Sequence, residues 1–131
     1  MRPTTSRHVL DEDRTHPAIR AKIDHLRHPV VREVEAAVAA HPVVVVGMAM
    51  NPFPRKARKL LDGLGIAHHD LDYGSYLSQW RTRLALKMWS GWPTLPMIFV
   101  QGVLVGGADD VRALADSGEL AALLAAGQPA A

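Results

Sequence analysis

Runs of apolar residues predict the strands of this chain. Four consecutive valines at 43–46 are typical of a strand that is covered on both faces of a sheet. The segment 66–71 predicts a second strand. The segments 97–100 and 103–105 predict two more strands, joined as a hairpin around the Gln101-Gly102 dipeptide. We therefore expect a sheet of four strands.

Apolar residues elsewhere recur at the three- and four-residue spacing of amphipathic helices. Asn51 is a favourable N-cap and Pro52 suits a first helical position, so we expect a helix to begin there. In a later helix, Trp80, Leu84 and Met88 lie at i, i+4 and i+8 and are expected to form its apolar, core-facing side. The predicted helices span residues 17–28, 30–40, 52–62, 76–89, 109–115 and 119–126.

The order of these elements predicts a mixed sheet. A strand–helix–strand unit implies a right-handed parallel crossover, whereas the closing hairpin adds antiparallel strands. The fold class is therefore α/β, with a four-stranded mixed sheet flanked by helices. Two further helices precede the first strand.

The composition of the chain excludes several classes of partner and of reactive site. The chain has 131 residues, a net charge of +2 with histidines neutral, and no cysteine. The small charge gives no case for nucleic acid or membrane binding, and the absent thiol excludes disulfides, thiolate metal sites and a cysteine nucleophile. The polar start lacks a signal-like apolar region, so a cytoplasmic location is expected. Neither His25 and His28 nor His68 and His69 have a third convergent ligand, and no metal site is predicted.

Three motifs in order carry a family resemblance. The segment 51–61 begins Asn-Pro-Phe-Pro, 92–96 reads Trp-Pro-Thr-Leu-Pro, and 106–110 reads Gly-Gly-Ala-Asp-Asp. Over 43–124 the chain resembles the glutaredoxin family of the thioredoxin superfamily, and its Trp-Pro segment resembles monothiol members. The resemblance implies a glutaredoxin-like domain at 43–126, an N-terminal extension at 1–42 that is mostly helical from about residue 17, and a flexible tail at 127–131.

The resemblance also implies a cleft for glutathione. Pro96 is expected in cis, and the backbone of Leu95 is expected to pair with the cysteine-containing backbone of glutathione like a short added strand. Arg83 is expected to contact the glycine carboxylate, with Lys87 and Arg55 as further cations that could receive a carboxylate, while Asp109 and Asp110 hold the γ-glutamyl end. The implied ligand-binding residues are Asn51, Phe53, Arg83, Thr94, Leu95, Pro96, Gly107, Asp109 and Asp110.

Departures from the family pattern remove its usual chemistry. Asn51 and Pro54 occupy the two cysteine positions, and Met48 replaces a lysine that pairs with the glycine carboxylate in the family. Without a thiolate we expect neither thiol–disulfide exchange nor an iron–sulfur cluster. No catalytic residue is therefore assigned, and the sequence favours a role without catalysis over an enzymatic one.

Three interpretations stay open. The first is a protein of cell redox homeostasis that binds glutathione or a related γ-glutamyl thiol. The second is an interaction module that docks a protein partner through the cleft and the basic face Arg55–Lys59. The third is a glutathione-dependent enzyme in which the ligand supplies the thiol and Asn51 donates a hydrogen bond to it. Simpler roles compete: Asn51, Asp109 and Asp110 as helix caps, and Arg83 as a solvated residue.

Overall fold

The computed structural model describes residues 7–25, 29–75 and 77–128. Within them a short 3₁₀ helix, Glu12–Arg14, precedes six α-helices and four strands. The last three residues of the predicted helix 17–28, and residues 129–131 of the predicted tail, lie outside the described residues. The helices are α1 (Pro17–His25), α2 (Pro29–Ala40), α3 (Pro52–Gly63), α4 (Trp80–Ser90), α5 (Ala108–Ser117) and α6 (Glu119–Ala126); the strands are β1 (Val43–Gly47), β2 (His69–Asp72), β3 (Met97–Val100) and β4 (Val103–Gly106).

The sheet is mixed, as predicted. Its strand order is β2-β1-β3-β4, with β1 parallel to β2 and antiparallel to β3, and with β3 antiparallel to β4. All five residues of β1 are buried, because one face of the strand packs with α2 and α4 and the other with α3, α5 and α6. Both layers of helices are thus needed to cover the four valines.

The turn of the hairpin follows from its two residues. Gln101 has φ 50° and Gly102 has φ 81°, and Val100 pairs with Val103 across the turn. Two central residues with positive φ give the type I′ geometry, whose twist matches that of the strands. Glycine adopts this conformation without steric cost, which explains the position of Gly102.

Two elements begin later than the sequence predicted. β2 starts at His69 and not at residue 66, because its register with β1 begins at Val44, and Ile66 instead donates its N–H to the carbonyl of Leu61 at the end of α3. α4 starts at Trp80 and not at residue 76. Gln79 has φ 54°, so the residue before Trp80 has left-handed backbone geometry and cannot belong to the helix.

The predicted apolar face of α4 is wrong. Trp80, Leu84 and Met88 are 58%, 45% and 60% exposed. The buried face contains Arg83, Leu86 and Ser90. Leu86 of this face is fully buried in the core, and Nη1 of Arg83 donates to the carbonyls of Tyr73 (3.0 Å) and Ser78 (2.6 Å), so the charged residue of the buried face has its hydrogen-bond partners.

Among the described residues, no helix is both long enough and apolar enough to cross a bilayer.

In the segment predicted to be a flexible tail, Nε2 of Gln128 donates to the carbonyl of Val38 at 2.8 Å. This bond ties the chain after α6 to α2.

Candidate functional site

A cleft of about 440 Å³ opens where the starts of α3 and α5 meet the bend before β3. The family resemblance implied nine ligand-binding residues, and the structure brings eight of them together here. Its lining comprises Met48, Asn51, Phe53, Lys56, Lys87, Trp92, Pro93, Thr94, Leu95, Pro96, Gly107, Ala108, Asp109 and Asp110. The exception among the implied residues is Arg83.

Asn51 caps α3, as predicted. Its Oδ1 accepts a hydrogen bond from the backbone N–H of Phe53 at 2.9 Å, and Pro52 occupies the first helical position. The carboxamide nitrogen of Asn51 has no hydrogen-bond partner among the described residues. Capping therefore uses only the oxygen and leaves two N–H donors in the cleft wall. The two roles that compete at the sequence level are compatible in the structure.

Pro54 is a packing residue. It is buried in the first turn of α3, and a Cβ built on Gly47 would lie 2.8 Å from the Cβ of Pro54. The glycine at the end of β1 therefore allows the proline ring to close over the strand. Pro54 does not line the cleft.

In the bend before β3, the backbone N–H and carbonyl of Leu95 have no hydrogen-bond partner among the described residues. The Leu95–Pro96 peptide bond is cis, as predicted. The side chain of Leu95 is buried, yet no described residue hydrogen-bonds to its backbone N–H or carbonyl. Backbone polar groups left unpaired in this way form the edge that an extended peptide can pair with.

At the start of α5, the structure corrects the predicted caps. The N-cap is Gly107, and neither Asp109 nor Asp110 occupies that position. Asp110 is the third helical residue, and its Oδ2 accepts from the N–H of Gly107 at 2.9 Å. The next three N–H groups, of Ala108, Asp109 and Asp110, lack intrahelical acceptors and line the cleft.

Of the three cations considered for a carboxylate, Lys87 lines the cleft, whereas Arg83 and Arg55 do not. Arg83 is 7% exposed and its guanidinium is held by two backbone carbonyls, so it is neither a cleft residue nor a solvated one. Lys87, one turn further along α4, lines the cleft instead and has no carboxylate partner among the described residues. Lys56 lies 3.2 Å from Asp109, in an exposed ion pair. Sequence reasoning did not include Lys56 among the cleft residues, although it follows the implied ligand residue Phe53 by three positions and so lies on the same side of α3.

A charged network lies on the outer side of the sheet, beside β2. His68 Nε2 is 2.8 Å from Asp62 Oδ1, and His68 Nδ1 is 2.6 Å from Asp70 Oδ1. Arg58 lies 3.4 Å from Asp70 and 2.5 Å from Asp72. His69 points elsewhere and stacks on His41, with ring centroids 4.0 Å apart. Among the described residues no three acidic or histidine side chains converge as metal ligands, and His28 lies outside them.

We expect the fold to lose stability from this network as pH rises above neutrality. Burial lowers the pKa of His68, but its hydrogen bonds to Asp62 and Asp70 and their charges prevail, so the pKa is raised. A group with a raised folded pKa stabilises the fold below its unfolded value of about 6.5, and that contribution disappears as pH rises through the folded value. Urea unfolding at pH 5.5 and 8.5 measures this contribution as a difference in the free energy of unfolding.

The variant His68→Gln should reduce the change in the free energy of unfolding between pH 5.5 and 8.5. The variant Asp62→Asn should lower the pKa of His68 in an NMR titration. A His68 ring that titrates below its ordinary value would contradict the account.

Comparison with known proteins gives a consistent result. The family model described as Glutaredoxin matches residues 43–105. A "Glutaredoxin-like protein" of Dictyostelium discoideum is 47% identical over 88 residues, which cover 67% of this chain and 72% of that protein. "Glutaredoxin-C6" of Oryza sativa subsp. japonica is 33% identical over 92 residues, covering 70% of this chain and 82% of that protein.

Solved structures agree on the fold. Wheat glutaredoxin has a TM-score of 0.63 at 32% identity, covering 74% of this chain and 92% of that chain. A buckwheat glutaredoxin–glutathione complex has a TM-score of 0.63 at 22% identity, covering 80% and 92% respectively.

Proposed function

Since this chain belongs to the glutaredoxin family, we propose that it binds glutathione or a related γ-glutamyl thiol in the cleft without thiol–disulfide exchange of its own. The observation that carries the proposal is the unpaired backbone of Leu95 inside a cleft with charged groups of both signs. The buckwheat relative of similar fold was solved with glutathione, which supports the choice of ligand.

The charges of the cleft suit a zwitterionic tripeptide. Glutathione carries two carboxylates and one ammonium group. Lys87 on α4 offers a cation for one carboxylate. At the start of α5, the free N–H groups suit the other carboxylate, and Asp109 suits the ammonium group. The volume, about 440 Å³, is within the range of small-molecule sites.

The absence of exchange follows from the residues at the two cysteine positions. Asn51 is not a nucleophile at neutral pH, and Pro54 is buried against Gly47. A thiolate attack on a disulfide needs a sulfur, and this chain has none. Any sulfur chemistry in the cleft would therefore use the thiol of the ligand.

Asn51 is placed to donate a hydrogen bond to the thiol of the ligand. Asn51 lines the cleft, and its carboxamide N–H groups have no partner among the described residues. Hydrogen bonds to a thiolate stabilise the charged form and lower its pKa. A glutathione-dependent reaction in which the ligand supplies the nucleophile is therefore our extension of the binding proposal, and turnover with glutathione and an electrophile or disulfide would be required to establish it.

An NMR titration of the full chain with glutathione tests the binding proposal. We expect saturable shifts at Leu95, Thr94 and Asp109. Lys87→Met should weaken affinity about two- to fivefold, as expected for a partly exposed ion pair. The matched variant Lys59→Met, on the outer side of α3, should leave affinity unchanged. No saturable shift at millimolar glutathione would refute the proposal.

A protein-docking role is the second candidate, because a basic groove lies beside the cleft. Its lining comprises Pro52, Arg55, Lys56, Lys59, Leu60 and Arg112, and no described carboxylate pairs with its arginines or Lys59. The predicted basic face is thereby revised. Arg58 turns to Asp70 and Asp72, Lys56 lines both this groove and the cleft, and Arg112 of α5 joins the groove.

Charge complementarity favours an acidic peptide in this groove. A glutamate-rich peptide should shift Arg55, Lys59 and Arg112 in a salt-dependent way, whereas shifts confined to Leu95 and Thr94 would count against the groove.

A further inference from the structure

The apolar stripe of α4 is exposed, and the described part of the chain leaves it uncovered. Trp80, Leu84 and Met88 lie at i, i+4 and i+8, and each keeps close to half of its surface or more in contact with solvent. The stripe is symmetric about Leu84, because Trp80 and Met88 lie four residues before and after it. A contiguous apolar surface of this kind on a folded domain marks a contact site for a partner.

The surface around this stripe is basic. Arg81 borders the stripe and is exposed, with its guanidinium carbon 5.1 Å from the centroid of the Trp80 ring. No carboxylate among the described residues pairs with it. The chain has no acidic residue between positions 73 and 108. A partner that covers the stripe must therefore bring acidic groups, because two basic surfaces repel each other.

Residues 9–13, Val-Leu-Asp-Glu-Asp, have the complementary character, and we call them the acidic segment. Val9 and Leu10 are exposed apolar residues. The three carboxylates that follow are exposed as well, and no cation in the described ranges pairs with them. One chain thus carries an apolar, basic surface and an apolar, acidic one, and it leaves both unpaired.

Arg7 fixes the place where the acidic segment begins. Its Nη1 donates to the carbonyl of Ser90 at 2.7 Å, at the C-terminal end of α4. Gly91 has φ 76°, and a Cβ there would overlap Nη1 of Arg7, so the glycine makes room for the guanidinium. An extended chain covers about 3.5 Å per residue, so Leu10 lies within about 11 Å of Arg7. The acidic segment therefore begins near the end of α4 that is remote from Arg81.

From these observations we propose that α4 is a dimer interface and that its partner is a second copy of this chain. Two α4 helices pack antiparallel about a two-fold axis at Leu84, and Trp80 of each copy packs on Met88 of the other. The C-terminal end of each α4 then lies beside the N-terminal end of the other. The acidic segment of each copy thereby reaches Arg81 of the other copy. The proposal does not rest on glutathione binding.

Sedimentation velocity of the full chain from about 5 μM to 1 mM tests the dimer. We expect a monomer–dimer equilibrium with a Kd of about 10 to 100 μM, as suits an interface of small area. Leu84→Ser should raise the Kd at least tenfold, because the apolar contact at the axis is lost from both copies. Leu64→Ser, at an equally exposed leucine at the end of α3, should leave the Kd unchanged. A chain that stays monomeric at 1 mM, or two leucine variants that act alike, would overturn the proposal.

A charge exchange tests the contact between Arg81 and the acidic segment. Arg81→Glu should raise the Kd about fivefold or more, whereas Arg20→Glu, at an exposed arginine of α1, should leave it unchanged. Adding Asp11→Lys and Glu12→Lys to Arg81→Glu should restore most of the affinity, because the two surfaces regain opposite charge. A dimer that the exchanged charges do not restore would contradict the proposed contact.

Spin labelling identifies the surface that each copy contacts. Because the chain has no cysteine, His8→Cys accepts a single nitroxide next to the acidic segment. In an equimolar mixture with ¹⁵N-labelled unmodified chain, we expect the nitroxide to broaden the amide signals of Trp80 and Arg81 in the isotope-labelled copy. Intermolecular broadening confined to other surfaces would overturn the proposal.

Discussion

Asn51→Cys is expected to create glutathione-dependent thiol–disulfide exchange in a chain that has no thiol. The introduced sulfur would lie at the start of α3, where Phe53 N–H now donates to Asn51 Oδ1. Helix N-termini stabilise a thiolate and bring thiol pKa values to below about 7.5, against about 8.5 for a free thiol. The thiolate would attack a glutathione mixed disulfide, release the partner thiol and be regenerated by a second glutathione. Turnover of a small mixed disulfide measures this, and thiol alkylation against pH gives the pKa.

A cysteine at the opposite end of the same helix is the matched control. Gly63→Cys places a thiol where nothing lies within 4 Å of the new Cβ and where the helix dipole opposes ionisation. Its thiol is expected to titrate at or above the ordinary value and to support no turnover. Loss of the Asn51 cap should lower stability by about 1 kcal/mol. If both thiols titrate alike, the start of α3 does not have the electrostatic character that the cap geometry indicates.

Arg83→Met should destabilise the fold by about 3 kcal/mol while leaving glutathione affinity unchanged. The guanidinium is buried and satisfies the carbonyls of Tyr73 and Ser78, which would be left unpaired. Hydrogen bonds from a charged donor contribute about 1.5–3 kcal/mol each, and burying unsatisfied carbonyls adds to the loss. Urea denaturation measures the free energy of unfolding, and the NMR titration measures affinity.

Arg81→Met provides the comparison on the same helix. Arg81 is exposed, with its guanidinium carbon 5.1 Å from the centroid of the Trp80 ring, and its loss should cost about 1 kcal/mol or less. A drop in glutathione affinity for Arg83→Met at unchanged stability would restore Arg83 to the ligand role that the family resemblance implied.

Local patterns predicted the start of α3 and the hairpin well. Asn51, Pro52 and the Gln101-Gly102 turn depend on the chemistry of adjacent residues: a side-chain acceptor, a fixed φ and a glycine with positive φ. Such features can be predicted from the sequence because each depends on interactions within about four residues. The four valines of β1 likewise indicated burial on both faces.

Periodicity alone gave the wrong face of α4. Both candidate stripes recur at helical spacing, and the Trp80 stripe is the more apolar. The buried stripe includes Leu86 in the core, and it accommodates Arg83 because two carbonyls from the preceding loop meet its guanidinium, a condition that helical spacing does not express. For the same reason the sequence did not single out Lys56, or the grouping of Arg112 with Arg55.

The sequence by itself determined the α/β fold, the order of its elements, the family and the absence of a thiol in the chain, because apolar periodicity, turn residues and the lack of cysteine are properties of the chain. The tertiary structure alone decided which cation lines the cleft, that the cap of Asn51 leaves its amide donors free, and that Arg112 joins Arg55 and Lys59 in one groove. These depend on distances between residues remote in sequence, which only packing sets.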